Sequence, residues 1–317
     1  MMLLIFCSCL FPQFYSINTN SIEMKTIAVL TNFSDRSENA ARYALHLALK
    51  IKANILLFNS FLVPSDIAIG THVAWPTGEY EEMQNYSEEK LKRLCRKMED
   101  EVKNKYSSLT FQPKITHLSD EGTIANCLNK LEEDKDIVLL VMGTHSADDL
   151  STFLMGNNCR QVIDAAKLPL LVIPGNAAIK DIEIFAFATD ITYSDVAYIK
   201  ALVTLAKQFS AEIMITNVNP DTPLDNEHDA AVHLFMNDVT NEVEYSKISY
   251  RSIPNTNVKK GLEWLIANNS FEVLVMVHRK SSFFEFFYKS SISKKMAACS
   301  SVPLLIYPYP IANIPLF

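Results

Sequence analysis

Glycine is scarce in this chain, which has only 7 glycines among 317 residues. Hydrophobic residues make up 49% and charged residues 21%, a profile that argues against low-complexity disorder and indicates a globular protein. Against this background two glycines stand out. Gly143 and Gly156 lie 156 − 143 = 13 residues apart, directly after the apolar run Ile137–Met142. Glycines at the exit of a strand are typical of loops that hold phosphate, and this pair raises that hypothesis.

The chain also lacks an excess of positive charge. It has 29 Lys and Arg residues against 36 Asp and Glu, a net charge of −7, and no long basic run. We therefore expect no nucleic-acid partner. The 6 cysteines include no C-x-x-C pair, which argues against a disulfide framework or a zinc knuckle and favours a reducing, cytoplasmic location. We expect these cysteines to be small core residues.

No segment is apolar over the roughly 20 residues that a membrane span needs. The nearest approach is Met1–Phe11, which lacks the Lys or Arg that precedes the apolar part of a signal peptide. We expect residues 1–23 to be an N-terminal extension, either disordered or the product of a misplaced start. No metal site is predicted, because His228 and His233 are five residues apart and would lie on different faces of a helix.

The sequence contains an internal repeat. Residues 29–60 match residues 187–218 without gaps, at a constant offset of 189 − 31 = 158. A second block, Ile137–His145, matches Glu272–Lys280, and each half closes with a related run, LPLLVIP or VPLLIYP. The repeat therefore predicts two related domains in one chain.

The predicted domains are residues 24–175 and 180–310, both of a common domain size. Apolar strands alternate with helices in each, which predicts the α/β class: two tandem doubly wound five-stranded parallel-sheet domains with helices on both faces. The first-half strands are predicted at Thr26–Leu30, Ile55–Phe58, Ile115–Leu118, Ile137–Met142 and Leu170–Ile173. The first-half helices are predicted after the N-cap Ser34 and at Tyr80–Lys105, Thr123–Leu131 and Cys159–Ala166.

Two loops of the first half are expected to form one site. Ligands of doubly wound sheets bind beyond the carboxyl ends of the strands, where the strand order reverses. The loops after the first and fourth strands, Thr31–Ser34 and Gly143–Asn158, would meet at that point. His145 and His278 fall just after the fourth strand of their halves, where each could contact a ligand or be solvated.

The chain resembles the universal stress protein family in its tandem form, with an adenine-nucleotide α-hydrolase-like fold. The resemblance spans Lys25 to Pro308 and depends on the order of elements, the turns TNFS and TDIT after the first strand of each half, and the paired P-L-L final strands. In that family the final strands commonly pair across a dimer interface. The resemblance therefore implies that the two halves pack as a pseudo-dimer.

The resemblance also implies a degenerate ATP site in the first half. Family members that bind ATP show G-x2-G-x9-G followed by Ser or Thr. Here Gly143 and Gly156 match the first and third glycines, Ser146 replaces the second, and Asn157 replaces the hydroxyl residue. The aspartate normal after the first strand is Asn32. The candidate nucleotide-binding residues are Thr31, Asn32, Ser34, Gly143, Ser146, Gly156, Asn157 and Asn158.

The second half departs further from the ATP-binding pattern. Asp190 keeps the carboxylate after the first strand, but the loop from His278 contains no glycine. Five aromatic residues lie between Phe283 and Tyr288, where they would cover the cavity that a phosphate chain needs or, if exposed, contact a partner. We expect no cofactor in this half, although Arg279, Lys280 and Lys289 could attract an anion.

The expected function is that of a stress-response protein which is not an enzyme: a cytoplasmic interaction or regulatory module with a degenerate nucleotide site and no catalytic residues. The alternative is an ATP-binding stress sensor that uses the loop Gly143–Asn158, with slow ATP hydrolysis. The expected partners are a nucleotide, the other domain of the same chain, and a protein partner or a second copy of the chain.

Overall fold

The protein is described from a computed structural model that covers residues 24–62, 77–144, 157–219, 226–268, 271–279, 302–310 and 317. The first half contains β1 (Thr26–Leu30), α1 (Asp35–Ile51), β2 (Asn54–Phe61), α2 (Thr77–Lys105), β3 (Ile115–Glu121), α3 (Ile124–Leu131), β4 (Ile137–Thr144), α4 (Asn157–Ala165) and β5 (Leu170–Pro174). The predicted first-half elements are confirmed, with ends that differ by at most a few residues.

The second half repeats the alternation of strands and helices. It contains β6 (Ile184–Ala188), α5 (Asp195–Phe209), β7 (Glu212–Asn219), α6 (Asn226–Glu242), β8 (Ile248–Pro254), α7 (Val258–Asn268), β9 (Val273–His278) and β10 (Leu304–Pro308). The aromatic run Phe283–Tyr288 lies outside the described residues, as do residues 1–23. The predicted domain boundaries remain predictions.

The ten strands of the described residues form one sheet in the order β3-β2-β1-β4-β5-β10-β9-β6-β7-β8. Neighbouring strands are parallel except at the centre, where β5 and β10 pair antiparallel through Leu304 with Val172 and Ile306 with Leu170. Each half thus has the doubly wound order, and the predicted α/β class is confirmed. The β5–β10 pairing is the contact on which the predicted pseudo-dimer arrangement depends.

Helices cover both faces of the sheet because the strands are apolar on both faces. In β1, Ile27 and Val29 point into a core with α1, α2, α5 and α6, while Ala28 and Leu30 point into a second core with α3, α4 and α7. These residues are at most 6% exposed. A strand buried on both faces is a near-continuous apolar run, as expected for a parallel sheet. Among the described residues, no helix is long and apolar enough to cross a bilayer.

Strand pairing corrects one detail of the internal repeat. Leu140 pairs with Leu170 in the first half and Leu274 pairs with Leu304 in the second, so the equivalent residues differ by 274 − 140 = 134. The sequence match that placed Ile137 on Glu272 is wrong by one residue, because an apolar run offers no side-chain pattern that fixes its alignment. The equivalent of Gly143 is therefore Val277.

Polar contacts fix the connection between the halves. The amide of Asn39 on α1 donates to the carbonyl oxygens of Pro174 and Ala177, and Lys50 pairs with Asp181 at 2.9 Å. Glu272 accepts hydrogen bonds from the side chain of Lys180 and from the backbone N–H groups of residues 183 and 184. The connecting segment is therefore held against both halves.

The described cysteines are core residues, as predicted. Cys95, Cys127 and Cys159 are free and at most 7% exposed. Burial raises the pKa of the Cys95 thiol to about 11 and that of Cys159 to about 12. At neutral pH these thiols are protonated and poorly reactive. The other three cysteines lie outside the described residues.

Candidate functional site

The turn after β1 is a compact hydrogen-bonded unit. Thr31 is 5% exposed; its hydroxyl donates to Ser37 Oγ at 3.0 Å and accepts from the N–H of Phe33 at 3.1 Å. Asn32 Oδ1 accepts from the backbone N–H of Ser34 at 3.2 Å and from its hydroxyl at 2.7 Å. Ser34 is the N-cap of α1 and accepts from Ser37 N–H, as the sequence predicted. Asn32 itself is exposed at the carboxyl edge of the sheet.

The neighbouring strand β2 holds this turn through a buried hydrogen bond. Asn59, near the end of β2, donates its side-chain amide to the carbonyl oxygen of Thr31 at 2.7 Å, and its Oδ1 accepts from the Ser87 hydroxyl of α2 at 2.7 Å. Asn59 is 8% exposed and Ser87 is 1% exposed. This buried relay fixes the turn relative to α2, and the sequence reasoning missed both residues.

Gly143 lies inside β4, one residue before its end, where the packing of α1 leaves no room for a side chain. A Cβ at this position would lie 2.5 Å from the carbonyl oxygen of Arg36 and 3.0 Å from the backbone nitrogen of Ser37. The first turn of α1 therefore packs directly on the Cα of Gly143. This close approach requires glycine whether or not a phosphate binds nearby.

The structure brings some of the predicted site residues together and leaves others undescribed. The turn Thr31–Ser34 and Gly143 lie at the same carboxyl edge, because β1 and β4 are parallel neighbours with Leu30 opposite Met142. Ser146 and Gly156 lie outside the described residues, as does His145. Asn157 and Asn158 open α4, and nothing is described of their side chains.

The second half builds the same turn with charged groups. Thr189, the equivalent of Thr31, donates its hydroxyl to Asp195 Oδ2 at 2.6 Å and accepts from the N–H of Ile191 at 2.8 Å. Asn217 donates to the carbonyl oxygen of Thr189 at 2.8 Å, as Asn59 does to Thr31. Phe33 and Ile191 both have positive φ, 64° and 61°. The backbone of the turn is therefore the same in both halves.

Arg279, directly after β9, closes the second-half turn. Its guanidinium donates to Asp190 at 3.2 Å, to Thr192 at 3.1 Å, to Ser194 at 3.1 Å and to Asp195. It also lies over the ring of Tyr309, 5.3 Å from the centroid. We call this group of residues the Arg279 cluster. No such cluster was predicted from the sequence.

The carboxylate at the centre of the Arg279 cluster is fully buried. Asp195 is 0% exposed, and burial raises the pKa of its carboxyl above the ordinary value. The hydrogen bond from Thr189 and the charge of Arg279 oppose that rise. A buried carboxylate with a guanidinium and a hydroxyl as donors is a paired charge, and removing either donor would leave it unsatisfied.

His278 corrects an expectation. It is the last residue of β9 and 3% exposed, with Nε2 3.5 Å from Asp164 of α4, so it faces the junction of the halves and is not a loop residue. Among the described residues, no group of three or more His, Cys, Asp or Glu side chains could hold a metal ion.

The fold places the protein in the class of doubly wound parallel α/β proteins, with two such units in one chain and a polar turn at the carboxyl edge of each. Residues 23–174 match the model of the universal stress protein family. The first half of the chain is therefore a universal stress protein domain, and a second half of the same fold is consistent with the tandem form of that family. The presence of this domain supports a role in the stress response.

Solved structures resemble the chain to different degrees, and one with a TM-score of 0.61 supports the fold. A universal stress protein from Archaeoglobus fulgidus DSM 4304 is 18% identical with a TM-score of 0.61, covering 89% of this chain and 97% of its own. A protein of unknown function from Pseudomonas aeruginosa PAO1 is 9% identical with a TM-score of 0.49, covering 90% and 92%. The universal stress protein UspA from Lactobacillus plantarum is 17% identical with a TM-score of 0.36, covering 47% and 97%. No curated protein matches the chain in sequence.

Proposed function

We propose that this protein is a non-catalytic regulatory or interaction module of the stress response, with a degenerate nucleotide site in its first half. The observation that carries this proposal is which groups accept hydrogen bonds from the hydroxyls at the carboxyl edge of the first half. Thr31 donates to Ser37, Ser34 donates to the amide oxygen of Asn32, and Ser37 donates to the carbonyl oxygen of Ser34. None of these acceptors is a general base.

A nucleophile or an activated water needs a base within hydrogen-bond reach, such as a carboxylate or an imidazole. The three first-half hydroxyls instead serve the turn and the helix N-cap. Asn32, at the position that is an aspartate in family members that bind ATP, carries no charge with which to abstract a proton. The proposed role is therefore binding and signalling by conformation or contact, without turnover.

The second candidate function is an ATP-binding sensor, and one observation favours it. Asn32 is exposed at the carboxyl edge, and only its Oδ1 is engaged by the turn; its Nδ2 donates to no group that the structure describes. An amide donor beside the N-terminus of α1 suits an uncharged or anionic ligand group. The loop Gly143–Asn158 would supply the remaining contacts, with ATP as the cofactor and one nucleotide per chain.

Native mass spectrometry with and without Mg-ATP tests both candidates. Protein purified without added nucleotide should show no ATP adduct, and ATP turnover should equal the buffer blank. The triple variant Asn32→Asp, Ser146→Gly and Asn157→Ser restores the family pattern, and we expect it to acquire one ATP per chain.

If the natural chain itself carries one ATP per molecule, the protein is an ATP-binding sensor and the main proposal is wrong. Turnover above the blank that is lost in Ser34→Ala would overturn the non-catalytic role. Thr192→Ala, the change in the second half that matches Ser34→Ala (192 − 158 = 34), is the control and should alter neither adduct nor turnover.

A further inference from the structure

Three segments that are distant in sequence converge on the side chain of Arg279. The residue itself follows β9, its hydrogen-bond partners lie in the turn between β6 and α5, and Tyr309 follows β10. In a doubly wound sheet this edge, beyond the carboxyl ends of the strands, is where a ligand would bridge the same segments. The guanidinium thus occupies the position of a bridging group.

The charged side chains of the Arg279 cluster are bonded to one another. Asp195 is completely buried, Asp190 keeps a side-chain exposure of 62%, and Arg279 keeps one of 23%. Thr192 adds a hydrogen bond to Asp190 at 2.5 Å. With both carboxylates bound to one guanidinium, the described residues of this edge offer no unpaired cation for a phosphate, and both of their carboxylates already bind a cation.

The first half shows what the same turn looks like without this cation. Ser37 stands at the position of Asp195, since 195 − 158 = 37, and Asn32 stands at the position of Asp190. The first-half turn is closed by neutral hydrogen bonds to Ser37 and Asn59. Two carboxylates of the second half, Asp190 and Asp195, therefore replace uncharged groups, and within the described residues both of them bind one guanidinium.

We propose that Arg279 is an internal substitute for a ligand, which holds the carboxyl edge of the second half closed by tying the ends of β9 and β10 to the start of α5. The second half then has a single, ligand-independent state. This inference shares with the proposed function only the assumption that the carboxyl edge is the ligand-binding edge.

Unfolding of the nucleotide-free protein provides the test, so that its outcome does not depend on whether the first half binds a nucleotide. Arg279→Met removes the cation and leaves Asp195 buried and unpaired, and we expect the apparent Tm to fall by about 10 °C. The matched control is Arg251→Met, which removes another arginine that lies over an aromatic ring, Trp264, at 5.8 Å. We expect the control to lower the apparent Tm by about 2 °C or less.

Asp195→Ser gives the second half the residue that the first half has. In the double variant with Arg279→Met no buried carboxylate is left without a donor. We therefore expect it to regain most of the apparent Tm lost in Arg279→Met, so that the Tm changes of the two single variants do not add. If Arg279→Met does not fold, Arg279→Lys keeps the charge without the fork geometry, and we expect an intermediate loss. Additive effects, or a loss no larger than that of Arg251→Met, would overturn the proposal.

Hydrogen exchange locates the effect. In Arg279→Lys, or in Arg279→Met if it folds, the amides of residues 189–196, Tyr307 and Tyr309 should exchange at least about tenfold faster than in the natural chain, while amides of residues 31–38 keep their rates. Added Mg-ATP should leave the exchange of residues 189–196 in the natural chain unchanged. Protection of that segment by Mg-ATP would show that the edge still binds a ligand, and the proposal would fail.

Discussion

The two halves of this protein build the same turn after their first strand but stabilise it differently. Both turns have a buried threonine, a residue with positive φ two positions later, and an asparagine of the neighbouring strand that donates to the threonine carbonyl. Ser37 closes the first turn through a neutral hydroxyl, whereas Asp195 closes the second through a buried carboxylate held by Arg279. The backbone geometry therefore does not depend on which chemistry closes it.

The helix that follows the turn also starts differently. α1 begins at Asp35, whereas α5 begins at Asp195, the equivalent of Ser37, so the second helix starts two residues later. The fourth strands also differ: Gly143 lets the first turn of α1 rest on β4, whereas the equivalent residue of β9 is Val277.

The largest expected effect comes from giving Gly143 a side chain. Gly143→Ala places a Cβ against backbone atoms of Arg36, which cannot move without displacing the whole helix start. We expect the free energy of unfolding to fall by about 3 kcal/mol, because overpacking against rigid backbone is costly. Urea unfolding followed by circular dichroism would measure the loss.

Gly261→Ala is the matched control for that substitution. A Cβ at Gly261, in the helix α7, would also meet close neighbours, but these are atoms of the Val218 side chain, the nearest at 2.4 Å, rather than backbone atoms. The gain in helix propensity, about 1 kcal/mol, offsets part of the cost of displacing this stiff β-branched side chain, and we expect a smaller loss than for Gly143→Ala. Equal losses for the two variants would contradict the argument that the backbone of Arg36 is what requires glycine at position 143.

The paired asparagines should differ by a smaller amount. Asn59→Ala removes the donor to Thr31 and leaves the buried Ser87 hydroxyl without its acceptor, so we expect a loss of about 2–3 kcal/mol. Asn217→Ala removes only the donor to Thr189, because Asn217 Oδ1 accepts from no group in the described part of the chain, and we expect about 1 kcal/mol. Thermal and urea unfolding would rank the two.

Ser87→Ala separates the two contributions of Asn59. Combined with Asn59→Ala it leaves no hydroxyl without a partner, so the double variant should be more stable than the sum of the single losses implies. If the two asparagine variants lose the same stability, the buried relay from α2 contributes nothing and the turns are supported equally.

The smallest expected effect concerns the junction between the halves. Asp181 pairs with Lys50 of α1, and its side chain is 61% exposed, so we expect Asp181→Asn to cost less than about 1 kcal/mol at pH 7. The hydrogen bond and charge of Lys50 lower the pKa of Asp181. A lowered pKa means that the contribution is complete above the ordinary carboxyl pKa and is lost as the pH falls through the lowered value.

Unfolding measured from neutral to strongly acidic pH would check this dependence. The difference between the natural chain and Asp181→Asn should shrink as the pH falls through the acidic range. Glu88→Gln, whose partner Lys92 lies on the same helix at 3.1 Å, gives the reference for an exposed pair that does not connect the halves. A difference that stays constant down to the most acidic pH would rule out the charge as its cause.

Much of the fold could be predicted because it depends on local pattern. The apolar run Ile137–Met142 predicts a covered parallel strand, Ser34 predicts the start of α1, and the repeat predicts a second half of the same class. The one-residue error in aligning β4 with β9 has a physical origin. Uniformly apolar strands carry no alternating pattern, so only hydrogen-bond register distinguishes one alignment from the next.

The candidate site was predicted less completely. Thr31, Asn32 and Ser34 were found because they follow a strand in a recognisable turn, and the structure places them together at the carboxyl edge. Asn59 and Ser87 were missed because each lies on another element and acts by donating or accepting across a gap of 28 residues. The offset of 158 residues could have pointed to Ser37 and Asp195 as an equivalent pair.

The sequence by itself determined the class of fold, the duplication, the burial of the described cysteines and the position of the polar turns, because those follow from periodicity, capping and repetition along the chain. Only the tertiary structure decided why Gly143 must be glycine and which cation meets Asp195. Both depend on the approach of segments that are more than 80 residues apart in sequence, Arg36 to Gly143 and Arg279 to Asp195. Such contacts are set by how helices rest on strands and how strands align, which no local pattern in the chain encodes.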